Sequence, residues 1–309
     1  MARFLAAVAA LLVAAGVLVA WGLTRPDPLL PADASRFAGG DAARGESVFW
    51  AGGCASCHAA PGATEDGKLV LAGGVALETP FGTFHAPNIS SDPQNGIGAW
   101  TELDFANAML RGVSPEGAHY YPAFPYTSYA KVDDRDIADL FAFLGGLKPD
   151  ATPSKPHELP FPYNIRRAMG VWKRLYLSDD PVVDVADDPV LLRGRLLVEG
   201  LGHCGECHTP RDALGGPVLS KWLAGAEAPE GPDGKRGRVP NITPHETGIG
   251  SWSASEIEEA LKSGFTPEFD SLGGSMAAVV SNTARLSDAD RSAIAAYLKA
   301  VPALATVER

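Results

Sequence analysis

The chain contains four cysteines, at 54, 57, 204 and 207, arranged as two CxxC pairs. A histidine follows each pair at once, giving CASCH and CGECH. Two intervening residues set the reach between the sulfurs, and the imidazole that follows lies beneath whatever the two thiols hold. This is the attachment pattern of c-type haem, in which the cysteines add to the two vinyl groups and the histidine is the proximal iron ligand. Cys54, Cys57 and His58 are therefore expected to hold one haem, and Cys204, Cys207 and His208 a second. A four-cysteine zinc site would leave both histidines unexplained and would draw its ligands from separate halves of the chain. Structural disulfides fit no better, because CxxC bridges are strained redox bonds.

The opposite face of each iron decides what the haem does. Methionine there raises the potential and suits electron transfer, whereas an open face permits binding and chemistry. Met276 lies in a Gly-rich loop, LGGSMAA, beyond the second pair. It is the expected distal ligand of haem 2. The first half has Phe124 at the matching position, inside YYPAFPY, and phenylalanine cannot bind iron. His119, a single residue before that stretch, is the leading candidate to replace the missing sulfur. His85, Met169, Tyr120, Tyr121 and an open iron remain alternatives. His119 also suits hydrogen bonding to a haem propionate or the backbone. Met109 is set aside because it aligns with Leu261 on a buried helix face. His157, His203 and His245 read as surface or supporting residues.

The elements that must position these groups form an internal repeat. Arg44-Gly45 precedes the first pair and Arg193-Gly194 the second. APNI at 86–89 matches VPNI at 239–242, and GIGAWT at 96–101 matches GIGSWS at 248–253. From Trp100 and Trp252 the halves align without a gap through Gly112 and Gly264 to Phe124 and Met276. Each half reads as three helices. The first begins near Asp41 or Asp188. The second is capped by Thr101 or Ser253, with Asp104 or Glu256 completing a capping box. The third begins near Asp133 or Ser287. Apolar residues at helical spacing (Phe105, Ala108, Met109, Gly112; Ile137, Leu140, Phe141, Leu144; Ile294, Tyr297, Leu298, Val301) mark the buried faces. No strand is expected. The PNI motifs are expected to line the haem edge. Trp100 and Trp252 serve either helix-start packing or a propionate contact.

Residues 4–23 carry no charged side chain, a length that suits one membrane span. Arg3 precedes the run, which favours a cytoplasmic N-terminus. A cleaved signal peptide is the rival reading, with a poor small-residue cleavage site around Leu18 and Ala20. Both readings export the bulk of the chain. The expected organisation is an anchor at 1–24, a haem module at 36–147, a linker at 148–187 and a second haem module at 188–302. The linker begins with the Pro-rich KPDATPSKP. It continues as NIRRAMGVWKRLYL, a basic, aromatic, amphipathic stretch in an acidic protein of net charge -11. That stretch is either a strap between modules or a contact for an anionic membrane surface or a partner. The overall charge argues against nucleic acid as a partner.

The repeated CxxCH, PNI and GIG-x-W-[ST] motifs, with the GVSPEG and YPAFPY loops, resemble the multihaem cytochrome c subunits of bacterial membrane-bound dehydrogenases of the alcohol and gluconate type. The resemblance covers roughly residues 36–302. It implies an all-α fold of two tandem class I cytochrome c domains after the N-terminal transmembrane helix. In each domain the first and last helices would cross, with Gly45 against Phe143 and Gly194 against Tyr297. It also implies two covalent haem c groups and redox partner proteins, a dehydrogenase or a respiratory complex. The chain departs from the pattern in having two haem motifs where three are common, and YPAFP where YPAMP is common. The expected function is a periplasmic dihaem carrier on the bacterial inner membrane, relaying single electrons towards a quinone- or oxidase-side acceptor. The alternative is a haem enzyme using an open or weakly ligated haem 1 for peroxide or sulfur-oxyanion chemistry.

Overall fold

The computed structural model describes residues 1–230 and 236–307. Helix α1 (Ala2–Thr24) is an apolar rod with no buried residue. Its 23 residues span roughly 34 Å at 1.5 Å per residue, against a hydrocarbon core of about 30 Å. It stops before Pro26, whose ring disfavours helical backbone at the residue ahead of it.

The first module opens with α2 (Ala42–Ala51), capped by the Asp41 carboxylate, which accepts from the Ala43 and Arg44 amides. The CASCH segment is itself a short helix, α3 (Cys54–His58), entered through Gly53 in the left-handed region. A loop follows, containing strands β1 (Ala76–Thr79) and β2 (Gly82–His85) in antiparallel register, Ala76 opposite His85. The expectation of no strand fails here. These strands are four residues long and half-exposed, too short for an apolar/polar alternation to stand out. Next come α4 (Glu102–Ala106), which runs on through a π-helical turn at Asn107–Arg111, and α5 (Tyr126–Tyr129). Helix α6 (Asp134–Gly145) closes the module.

The linker folds into α7 (Met169–Tyr176). The second module then repeats the first. Helix α8 (Pro189–Arg195) is capped by Asp188 and continues as a π-helical turn at Leu196–Leu201. CGECH forms α9 (Gly205–His208). Strands β3 (Ala226–Glu230) and β4 (Arg236–Val239) pair in the loop, followed by α10 (Ala254–Ser263), α11 (Ser275–Thr283) and α12 (Asp288–Ala300). Both expected capping boxes form: Thr101 with Asp104, and Ser253 with Glu256.

In each module the first and last helices cross at a glycine. A Cβ at Gly45 would clash with the Asp139 carbonyl and the Phe143 side chain. A Cβ at Gly194 would clash with the Ala293 carbonyl and Tyr297. The missing side chain lets the backbones touch, and Phe49 packs against Phe143 at a tilt of 52° with centroids 5.3 Å apart. Arg44 pairs with the buried Asp139 beside the first crossing, and Arg193 with Asp290 beside the second. The buried side chains of both modules form one continuous apolar cluster.

Helix α7 is the strut of the molecule. Its inner face meets both modules: Lys173 Nζ donates to the Arg111 and Gly112 carbonyls at 2.6 Å, and Trp172 Nε1 donates to the Leu214 carbonyl at 3.0 Å. Tyr176 donates to Asp212 at 2.7 Å. The other face meets the end of α1, where Gly170 lies against Thr24. Helix α7 thus ties the two modules to each other and to the end of α1.

Candidate haem sites

The histidine of each CxxCH motif is aimed by a proline carbonyl. His58 Nδ1 lies 2.8 Å from the Pro87 oxygen, and His208 Nδ1 lies 2.8 Å from the Pro240 oxygen. A carbonyl only accepts, so Nδ1 carries the proton and Nε2 keeps a free lone pair. That is the tautomer an iron ligand needs, held by the kind of outer hydrogen bond that orients metal-binding imidazoles. Burial lowers the pKa of both rings, opposed in part by the bond to proline, so they stay neutral. The histidine carbonyls are fixed too: His58 accepts from Gly73 at 2.7 Å, and His208 from Gly225 at 2.8 Å.

The PNI motifs thus do more than line an edge. Their asparagines hold the loops in place. Asn88 Nδ2 donates to the Asp150 and Thr152 carbonyls, and its oxygen accepts from the Ser90 amide. Asn241 repeats this with the Leu304 carbonyl and the Thr243 amide. The sequence offered the recurrence of PNI as a signal. It gave no partner for the histidines, which lie far away along the chain.

No disulfide joins any two of the four cysteines. Cys54, His58 and Cys204 sit deep among protein atoms yet keep some accessible surface. Burial pushes the Cys54 and Cys204 thiols up to about 12, and raises Cys57 and Cys207. Among the described residues no three Cys, His, Asp or Glu side chains converge on one point. Paired thiols at a short helix and a Nδ1-protonated imidazole fit haem c in both modules.

The distal loops follow one path. Tyr120 N donates to the Gly112 carbonyl at 2.7 Å, and Leu272 N to the Gly264 carbonyl at 2.7 Å. Gly112 and Gly264 are both in the left-handed region. Phe124 and Met276 follow at equal distances, each half-buried. Phe124 is ringed by Tyr120, Tyr126 and Tyr129, with centroids 5.6–6.4 Å away. Met276 stands in the first turn of α11, in a loop that leaves Phe265 and Phe269 exposed.

His119 is buried, and its Nε2 lies 3.0 Å from the Thr24 carbonyl at the end of α1. Its Nδ1 is buried without a partner. His85 Nε2 meets Glu158 at 2.9 Å, and its Nδ1 is likewise unpartnered. Met169 begins α7 and is half-buried. Trp100 and Trp252 pack against the core at the helix starts. His203 is not a surface residue: it lies on the seam between the modules, 5.9 Å from the Tyr129 ring.

That seam brings the two attachment segments together. Glu206, inside CGECH, accepts from Ser128 at 3.0 Å and Thr127 at 3.2 Å, just after the Phe124 loop. Ser56, inside CASCH, accepts from Asn282 at 2.8 Å, just after the Met276 loop. Allowing for the two extra residues of α11, Ser128 and Asn282 are equivalent, so the modules clasp each other by the same device in both directions. The sequence does not reveal these pairs, since Ser56 and Glu206 occupy the variable positions of CxxCH and Thr127, Ser128 and Asn282 lie outside any motif.

The cytochrome c family model matches residues 42–148 and again 192–302. The chain belongs to the cytochrome c family. It is 55% identical to a diheme cytochrome c-type protein of Cereibacter sphaeroides, over 98% of this chain and 100% of that one. It is 40% identical to the fructose dehydrogenase cytochrome subunit of Gluconobacter japonicus, over 85% of this chain and 53% of that subunit. Against the gluconate 2-dehydrogenase cytochrome c subunit of Pantoea cypripedii the figures are 38%, 84% and 59%. This cytochrome therefore spans a little over half the length of those two subunits. It carries two covalent haem c groups and transfers electrons, in a mostly helical fold with two small sheets.

Proposed function

We propose that the chain is a membrane-tethered dihaem cytochrome c that relays single electrons through the periplasm. Helix α1 is the tether, in the bacterial inner membrane with its N-terminus inside. The donor is a dehydrogenase or respiratory protein, and the acceptor lies on the quinone or oxidase side. Similarity to cytochrome subunits of fructose and gluconate dehydrogenases supports a dehydrogenase donor.

One observation carries the relay reading: the reciprocal clasp of the two CxxCH segments across the module seam. A carrier that only shuttled two independent electrons would not need its attachment segments against each other. When bound, the haems supply the redox change, and the protein supplies ligation, burial and spacing. Haem 2 takes His208 and Met276. Haem 1 takes His58, with His119 as its distal candidate. Only Nδ1 of His119 keeps a lone pair free, because the Thr24 carbonyl requires a proton on Nε2. The aromatic ring around Phe124 closes that loop, which suits transfer better than substrate entry.

Flash photoreduction of the purified full-length protein tests the relay. An electron placed on one haem is expected to equilibrate with the other at a rate independent of protein concentration. Equilibration that accelerates in proportion to concentration would show two uncoupled haems.

A further inference from the structure

We propose that the linker face around α7 is a second membrane-contact element, a collar seated in the headgroup–acyl boundary around the end of α1. The proposal rests on the tethered reading for its orientation. It concerns a surface that this reading does not need.

The last four carbonyls of any helix lack partners within it, and at a helix end standing in water the solvent supplies them. Here protein side chains satisfy all four. Arg167 donates to the Trp21 carbonyl at 3.3 Å, and Arg174 to those of Gly22 and Leu23 at 3.1 and 3.0 Å. His119 donates to that of Thr24 at 3.0 Å. Complete satisfaction by protein is what a helix end in a water-poor layer requires. The two guanidinium groups also sit at the negative end of the helix dipole.

Residues 170, 171, 174 and 175 share one stripe of α7, which Arg167 in the turn just before the helix extends. Arg167, Gly170 and Arg174 on that stripe touch α1, so the stripe faces the level at which the span ends. Val171 and Leu175 on the same stripe are 43% and 60% exposed. The loop leading into α7 adds Phe161, Tyr163 and Ile165, which are 78%, 43% and 46% exposed. Trp21 is also exposed, with Arg167 5.9 Å from its ring. Apolar and aromatic side chains interleaved with arginine, beside the end of a span, match the composition of an interfacial segment. The rest of the molecule is acidic, so this basic face is also where anionic headgroups would be tolerated. The occupant is the outer leaflet itself.

The four native cysteines are consumed by the haems, so an introduced thiol is unique. Val171→Cys, Leu175→Cys and Phe161→Cys would each be prepared in the full-length protein, with Lys262→Cys on module 2 as a solvent-facing control. Phe161 lies in an exposed loop and serves if the helix variants fold poorly. Each is reconstituted into phosphatidylethanolamine–phosphatidylglycerol vesicles and challenged with a charged, membrane-impermeant maleimide. Collar thiols are expected to react about tenfold more slowly than the control, as apolar-face positions at an interface should. Intact mass measured on the same samples reports whether residues 1–24 are retained. Equal rates with residues 1–24 present overturn the collar and leave the tether standing. If residues 1–24 are absent, the tether fails. Protection of vesicle-bound protein would then still support the collar, and unprotected thiols or failure to co-float with vesicles would overturn both.

Discussion

At the residue scale, a histidine nitrogen and two cysteine sulfurs recur in each candidate site, and a methionine sulfur stands at the matching distal position only in the second. The bonds from His58 to Pro87 and from His208 to Pro240 make both proximal ligands alike, so any difference between the haems arises on the distal side. If Phe124 and Met276 both face iron, two substitutions should act oppositely. Met276→Ala should turn haem 2 high-spin and lower its potential, because the thioether favours the reduced iron. Phe124→Met should add a second methionine-to-ferric-haem charge-transfer band and raise the potential of haem 1. Electron paramagnetic resonance and redox titration read both. An unchanged spectrum for Phe124→Met would remove position 124 from the haem face. His119→Ala belongs with them: haem 1 turning high-spin supports Nδ1 ligation, and an unchanged low-spin signal leaves His119 as a cap on α1 alone. The cysteines and histidines were legible because CxxCH is local chemistry on consecutive residues. The prolines that aim the histidines were not, because a bond across a folded loop leaves no mark on either short motif.

At the level of elements, the helices were legible and their attachments were not. Asp41, Thr101, Asp188, Ser253 and Ser287 all cap helices through their own side chains, since capping is decided within three residues. The short strands escaped notice, and so did the role of α7, which depends on three distant surfaces. Lys173 is the residue that makes α7 a strut. Its amine is buried, bonded to two carbonyls and 4.8 Å from the Tyr126 ring centre. The Gly112 carbonyl also accepts from Tyr120, so losing Lys173 strands mainly the Arg111 carbonyl. Lys173→Met should therefore destabilise the protein by about 1–2 kcal/mol in alkaline solution. Burial pushes the Lys173 pKa down to about 7 from its ordinary 10.5. Between those values the unfolded chain holds a proton that the folded chain has released, so folding gains stability as pH rises. The gap between wild type and Lys173→Met should widen across that window in denaturant titrations. A gap that stays flat or narrows with pH would mean the amine remains charged in the fold.

For the whole molecule, duplication has produced a pair whose halves face each other instead of standing in line. The sequence displayed the duplication through its repeated motifs, but the seam between the halves is built from the variable positions of CxxCH and from side chains outside any motif. Ser56 with Asn282, and Glu206 with Thr127 and Ser128, place polar bonds at equivalent points on either side. Gly200 fits against Val132 along the same boundary. If this seam sets the electronic coupling, loosening it should slow transfer between haems without changing either haem. The variant Asn282→Ala, Thr127→Ala, Ser128→Ala removes the donors on both sides and leaves each CxxCH intact. Glu206 keeps its partner Arg211, so no buried charge is abandoned. Optical spectra and both midpoint potentials should match the parent protein. The intramolecular equilibration rate after flash reduction should fall, and thermal unfolding should separate into two transitions as the modules lose their mutual support. A parental rate with a single unfolding transition would show that the apolar cluster alone joins the modules, and that the reciprocal clasp is incidental to the relay.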